Sequence, residues 1–158
     1  MSDQAFDERH TVLLLALQKA EMTEHHIYTR IAALTSDRAN HEVLTRIAAD
    51  ELTHYGIWKT YTGKDVGPDR FRVWMYTQTA RILGMTFAIK VMERMEQHAQ
   101  SLDQSLIGLV PELPQMLANE EIHERELIAL IDEERLRYVG SVVLGLNDAL
   151  VEFTGTLA

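Results

Sequence analysis

An all-α protein, built from four long helices, a short crossover helix and an apolar C-terminal helix, follows from three features of the chain. Apolar residues recur at three- and four-residue spacing over long stretches, the period of a helix with one buried face. Only 3 prolines and 8 glycines interrupt 158 residues, and most fall in a few short stretches. Runs of β-branched residues with period-two alternation are hard to find, so strands have no support.

The first helix is expected from about Asp3 to Thr35, with Leu13, Leu14, Leu17, Ala20, Ile27, Ile31 and Leu34 at helical spacing. Thr35-Ser36-Asp37 then offers a stop and a new N-cap, because short polar side chains satisfy the free N–H groups that open a helix. A second helix runs from Asp37 or Asn40 to Thr62, closed by the loop Gly63-Lys64-Asp65-Val66-Gly67-Pro68. Residues 69–82 read as a shorter helix rich in aromatics, Phe71, Trp74 and Tyr76. A short loop cannot span a bundle longer than about 30 Å. This helix is therefore the expected crossover that lets the second and third bundle helices lie parallel. The third runs from Gly84 to Leu106, Gly108-Leu109-Val110-Pro111 breaks it, and the fourth runs from near Leu113 through Arg137. Residues 1–137 thus form one domain. The tail, 138–158, has no Lys or Arg and carries small residues at Gly140, Ser141, Gly145 and Gly155. Its length suits a membrane span. Asn147, Asp148 and Glu152 suit equally an amphipathic helix docked on the bundle or on a partner.

Composition removes several function classes. A net charge of −9 argues against a nucleic-acid partner, whose phosphates need a Lys/Arg surface. The chain has no cysteine, which excludes disulfides, a cysteine-ligated iron–sulfur centre and a thiolate nucleophile, and fits a reducing compartment. The N-terminus has no signal-peptide character.

The chemistry lies in an ordered set of carboxylates and imidazoles: Glu21, then Glu51-Leu52-Thr53-His54, then Glu93-Arg94-Met95-Glu96, then Glu120-Glu121-Ile122-His123. Each group falls on a different long helix. Residues three apart share a helical face, so each pair can aim two donor atoms at one inward patch. Four helices presenting Glu, Glu-x-x-His, Glu-x-x-Glu and Glu-x-x-His inward is what a two-iron carboxylate site requires. Oxygen and neutral imidazole donors suit iron, and manganese equally well. Two ferrous ions bring four positive charges, which four carboxylates neutralise, and the fifth offsets the diferric state. Without cations, five buried carboxylates would repel and take up protons. Each short motif alone occurs by chance; the order and the placement on separate helices carry the inference. Tyr28, seven residues after Glu21, shares its face and is expected to hydrogen-bond a ligand carboxylate, to quench oxidising equivalents, or to pack as a core tyrosine. His25 or His26 could stand behind the ligands, although surface positions suit them better, and His10, His41 and His98 are expected at the surface.

These residues resemble the ferritin-like domain of rubrerythrins, over about residues 8–137. The resemblance implies a four-helix ferritin-like bundle with two irons. It implies Glu51 and Glu96 as bridging ligands, Glu21 and Glu120 as terminal ones, Glu93 as the extra carboxylate, and His54 and His123 as one imidazole per metal. Tyr28 matches a recurring tyrosine of that family, so Glu51, Glu96 and Tyr28 are the residues expected closest to the chemistry. Rubrerythrins usually also carry a cysteine-ligated iron, for which this chain has no cysteine, so turnover would need another electron donor. The tail, Tyr138 to Glu152, looks like the opening of the first membrane helix of vacuolar-iron-transporter-type proteins, with Asp148 matching an ion-pathway aspartate. Fusions of the two are membrane-bound ferritins. The resemblance therefore implies a di-iron domain at the cytoplasmic face of a membrane, at the start of a longer protein. Its expected activity is to bind ferrous iron, oxidise it with hydrogen peroxide or oxygen, and serve iron detoxification and export, as a homodimer. A non-catalytic module that loads or gates the transporter would use the same ligands. A helical dimerisation module without metal would not need them.

Overall fold

The computed structural model describes residues 8–96, 106 and 108–131, the side chains of 93–96 excepted. Among these residues every regular element is helical: α1 (Glu8–Ala32), α2 (Arg38–Thr62), α3 (Arg70–Leu83), α4 (Met85–Glu96) and α5 (113–131). The first expected helix is three residues shorter at its C-terminal end, because Leu34 and Thr35 turn back onto the carbonyls of Ile31 and Ala32. The tail 138–158, and with it the expected apolar C-terminal helix, lies outside the described residues. Among the described helices none is long and apolar enough to cross a membrane.

Local chemistry accounts for the helix ends. Asp37 caps α2, its side chain accepting from the Asn40 N–H, and Asp69 caps α3, accepting from the N–H groups of Phe71 and Arg72. Gly63 ends α2 at φ 63°, a left-handed conformation that costs a glycine nothing, and its N–H returns to the Lys59 carbonyl. The loop that follows is strapped to α1 and α2. The buried Gln18 amide donates to the Lys64 carbonyl and its oxygen accepts from Thr62, the Tyr55 hydroxyl binds Asp65, and Thr23 receives the Asp69 N–H.

Packing follows a repeat of four and three residues, the spacing that keeps one face of a helix against its neighbours. On α2 the buried stripe is Asn40, Leu44, Ile47, Glu51, His54 and Trp58. On α5, Leu113, Met116, His123, Leu127 and Leu130 are buried, with Glu120 at the position between Met116 and His123. Two apolar clusters result. The larger joins Ile27, Tyr28 and Ile31 of α1 to Leu44, Ile47, Tyr76, Ile89, Met92 and Leu127; the smaller joins Leu14 and Trp58 to Leu106, Val110, Leu113 and Met116. Along α2 and α5 the ionisable residues of the stripe fall between the two clusters, as one polar layer inside an apolar core. Helix α3 divides its aromatics: Tyr76 is fully buried, whereas Phe71 and Trp74 stand 67% and 55% exposed with rings 6.0 Å apart. Tyr76 is therefore a core residue, not part of the uncovered aromatic surface.

Candidate metal centre

The polar layer draws on three helices. Helix α1 supplies Glu21, α2 supplies Glu51 and His54, and α5 supplies Glu120 and His123. Glu51, His54 and His123 are buried and Glu21 is nearly so, while the Glu120 side chain keeps 40% of its surface exposed. Both histidines turn Nδ1 inward. His54 Nδ1 lies 3.1 Å from Glu120 Oε1, 3.4 Å from Glu51 Oε2 and 3.7 Å from Glu21 Oε2. His123 Nδ1 lies 3.2 Å from Glu51 Oε1 and 3.9 Å from Glu120 Oε2, and the two rings are 6.2 Å apart. Glu51 and Glu120 therefore each span the gap, one oxygen toward each histidine. One donor atom from each of Glu21, Glu51, His54 and Glu120 falls within 4.8 Å of the others.

Three further residues, which the sequence alone did not single out, hold this set from outside. Trp58, fully buried, donates its indole N–H to Glu21 Oε1 at 2.9 Å. Asp50 Oδ2 sits 3.0 Å from His123 Nε2, and Asn119 Nδ2 sits 3.3 Å from His54 Nε2. A signal for Trp58 exists: it follows His54 by four and Glu51 by seven residues, on the same helical face. Asp50 and Asn119 each stand immediately before a ligand-type glutamate, a doubled pattern visible once both motifs are aligned.

The electrostatics are those of a cation site filled by protons. Burial pushes Glu21 up to about 8, reinforced by the neighbouring carboxyl of Glu51 and opposed by His54. Burial alone would raise Glu51 as well, but His123 and His54 hold it down at about 2. Burial would lower His54, yet the surrounding carboxylates, Glu120 first, push it up to about 12, and Glu51 and Asp50 likewise raise His123. The carboxylates around His54 favour a proton on Nδ1, where a cation would otherwise sit. Despite these short separations, Glu51 Oε2, His54 Nδ1 and His123 Nδ1 are buried without an aligned hydrogen bond. Leaving a buried polar atom unmatched costs about 1–3 kcal/mol. Divalent cations held between these residues would satisfy them, so the residues fit a metal of the iron or manganese type.

Glu93 and Glu96 lie on the backbone of α4, which carries the buried Ala88, Ile89 and Met92, and their side chains are outside the described residues. Tyr28 is buried in the larger apolar cluster. His25 is half-buried and engages the Ala48 carbonyl through Nδ1, and the exposed His41 engages the Ala32 carbonyl in the same way. His98 falls outside the described residues. Glu120, implied as a terminal ligand, places one oxygen 3.1 Å from His54 Nδ1 and the other 3.9 Å from His123 Nδ1. Searches of protein-family models, curated proteins and solved structures return no match to the chain.

Proposed function

We propose that this chain is a di-iron carboxylate domain of the ferritin-like type that binds ferrous iron and oxidises it with hydrogen peroxide or oxygen. The observation that carries the proposal is the pair of inward Nδ1 atoms, each facing one oxygen of Glu51 and one of Glu120. Two carboxylates that each face both imidazoles suit a pair of adjacent cations. Bound iron would supply one electron per ion, the two together matching the reduction of a peroxide O–O bond. The protein's share is positional. Glu51 and Glu120 would keep two cations adjacent, His54 and His123 would each serve one, and Glu21, held by Trp58, would complete the His54 side. Glu93 and Glu96 are the proposed donors from α4. The half-exposed Glu120 and Asp50, both acidic, mark the side from which cations and a small oxidant would approach.

By the resemblance of the tail to a membrane helix, the domain would lie at the cytoplasmic face of a membrane and oxidise or collect iron for a transporter. It would work as a homodimer that covers Phe71 and Trp74, with electrons from a separate donor. The ferrous-loaded chain, mixed anaerobically with hydrogen peroxide and separately with oxygen, tests the activity through the near-ultraviolet absorbance of ferric iron. Rapid rise with either oxidant supports the oxidase reading. Stable ferrous iron under both would refute it and leave the non-catalytic loading module.

A further inference from the structure

Charge is distributed unevenly along this acidic chain. Residues 70–92 hold Arg70, Arg72, Arg81 and Lys90 and no Asp or Glu, whereas the chain as a whole carries −9. The same stretch holds five of the eleven large apolar residues that stand exposed among the described residues, and Ile82, at 76%, is the most exposed of them. Gly84, at φ 90°, ends α3 and turns the chain into α4 with no intervening loop, so the last turn of α3 and the first of α4 form a corner. The inward faces are occupied by Val73, Tyr76 and Ala80 on α3 and by Ala88, Ile89 and Met92 on α4. Ile82 lies two residues beyond Ala80 and Phe87 two before Ile89, each roughly 200° round its helix from that buried neighbour. Arg81, Ile82, Leu83, Phe87 and Lys90 are all exposed. We propose that this corner, basic and apolar at once, docks the domain on the surface of an anionic lipid bilayer.

An interfacial helix combines apolar side chains, which enter the boundary of the acyl chains, with Lys and Arg, which meet the headgroup phosphates. Ile82, Leu83 and Phe87 supply the first and Arg81 and Lys90 the second, with no carboxylate in the stretch to repel the headgroups. Negative charge elsewhere on the molecule weighs less, because exposed charges beyond about 8 Å are largely screened at physiological salt. The position of the corner agrees. Met85 packs against the larger apolar cluster, which also holds Leu127, Leu130 and Ile131 of α5. The corner and the C-terminal end of α5 as described therefore lie on the same side of the polar layer. Residues 132–137 separate that end from the apolar tail, a reach of at most about 21 Å. A tail that enters a bilayer thus holds this side of the domain within that distance of its surface. Phe71 and Trp74, toward the opposite end of α3, stay with the proposed contact between copies. Docking by the corner extends the membrane reading of the tail and needs no metal.

Co-sedimentation of the whole chain with vesicles tests this, comparing phosphatidylcholine alone with phosphatidylcholine partly replaced by phosphatidylglycerol. The tail has no Lys or Arg and carries Asp148 and Glu152, so its insertion alone gives no preference for anionic lipid, and the preference reads the corner. The wild type is expected to bind the anionic vesicles more tightly, by an excess that added salt reduces. Arg81→Gln with Lys90→Gln should lower affinity for the anionic vesicles roughly 25-fold, about fivefold per charge, and leave affinity for the neutral ones unchanged. Ile82→Ser with Leu83→Ser should lower anionic binding by roughly tenfold or more. All four side chains are exposed, so the circular dichroism and the oligomeric state of both variants should match the wild type. Equal affinity of the wild type for both vesicle types would overturn docking by the corner and leave tail insertion standing. An anionic preference that survives Arg81→Gln with Lys90→Gln would also overturn it. Loss of the dimer in Ile82→Ser with Leu83→Ser, with vesicle binding intact, would assign the face to a second copy instead. No binding to either vesicle would overturn both the corner and the membrane reading of the tail.

Discussion

At the residue scale, the metal-free centre holds protons among its carboxylates and imidazoles. Glu21, raised to about 8, stays protonated in the fold at pH values where the unfolded chain has already lost that proton, so folded stability falls as pH rises from the ordinary carboxylate range toward 8. His54, raised to about 12, acts in the same direction above its ordinary value near 6.5. Glu51, held at about 2, acts oppositely, and its contribution is lost as pH falls through the acid range toward 2. The metal-free chain should accordingly be most stable near pH 5, and its melting temperature should drop between pH 5.5 and 8.5; a flat or rising profile there would contradict these assignments. Metal uptake should release protons and strengthen as pH rises over the same window, measurable by calorimetry in two buffers of different ionisation enthalpy. Trp58 supplies an internal reporter. With Trp74 exposed and distant in sequence from every ligand, metal-dependent change in tryptophan emission should disappear in Trp58→Phe and persist in Trp74→Phe.

At the element scale, α2 is the best-specified segment. Asp37→Ala should cost about 1 kcal/mol through loss of the cap. Gly63→Ala should cost a similar amount, about 1 kcal/mol, from the left-handed backbone alone, since nothing crowds an added Cβ. Ile47→Ala, which empties a fully buried position beside the polar layer, should cost about 2–5 kcal/mol; urea unfolding of the three variants ranks them. The sequence made this helix legible because its cap, its four-and-three stripe and its terminal glycine all agree. The two Glu-x-x-His groups were legible for the same reason: they replace apolar residues at positions where the stripe demands burial. Tyr76 was not, because α3 carries aromatics around its circumference and local spacing does not say which face turns inward. Asp50 and Asn119 were not either. Their role depends on how α2 and α5 are rotated against each other, and no periodicity within one helix encodes that.

At the scale of the whole molecule, the fold is a polar layer held between two apolar clusters, and the clusters explain why that layer tolerates unmatched buried atoms. The surrounding core over-determines the helix positions, so the carboxylates and imidazoles converge before any cation arrives. Binding that engages only the folded state should raise the melting temperature in proportion to the logarithm of free metal. Exposed Phe71 and Trp74 belong to this scale too, because a second copy is the proposed cover for them; sedimentation should show a dimer that Phe71→Glu with Trp74→Glu dissociates. The central claim is that this layer holds two metal ions, and an anaerobic ferrous titration of the wild type beside Glu51→Gln tests it most directly. Saturation at two irons per chain, falling to one or none in Glu51→Gln, is the predicted result. Diffuse binding without a defined stoichiometry, or a stoichiometry of two that Glu51→Gln leaves intact, would contradict it.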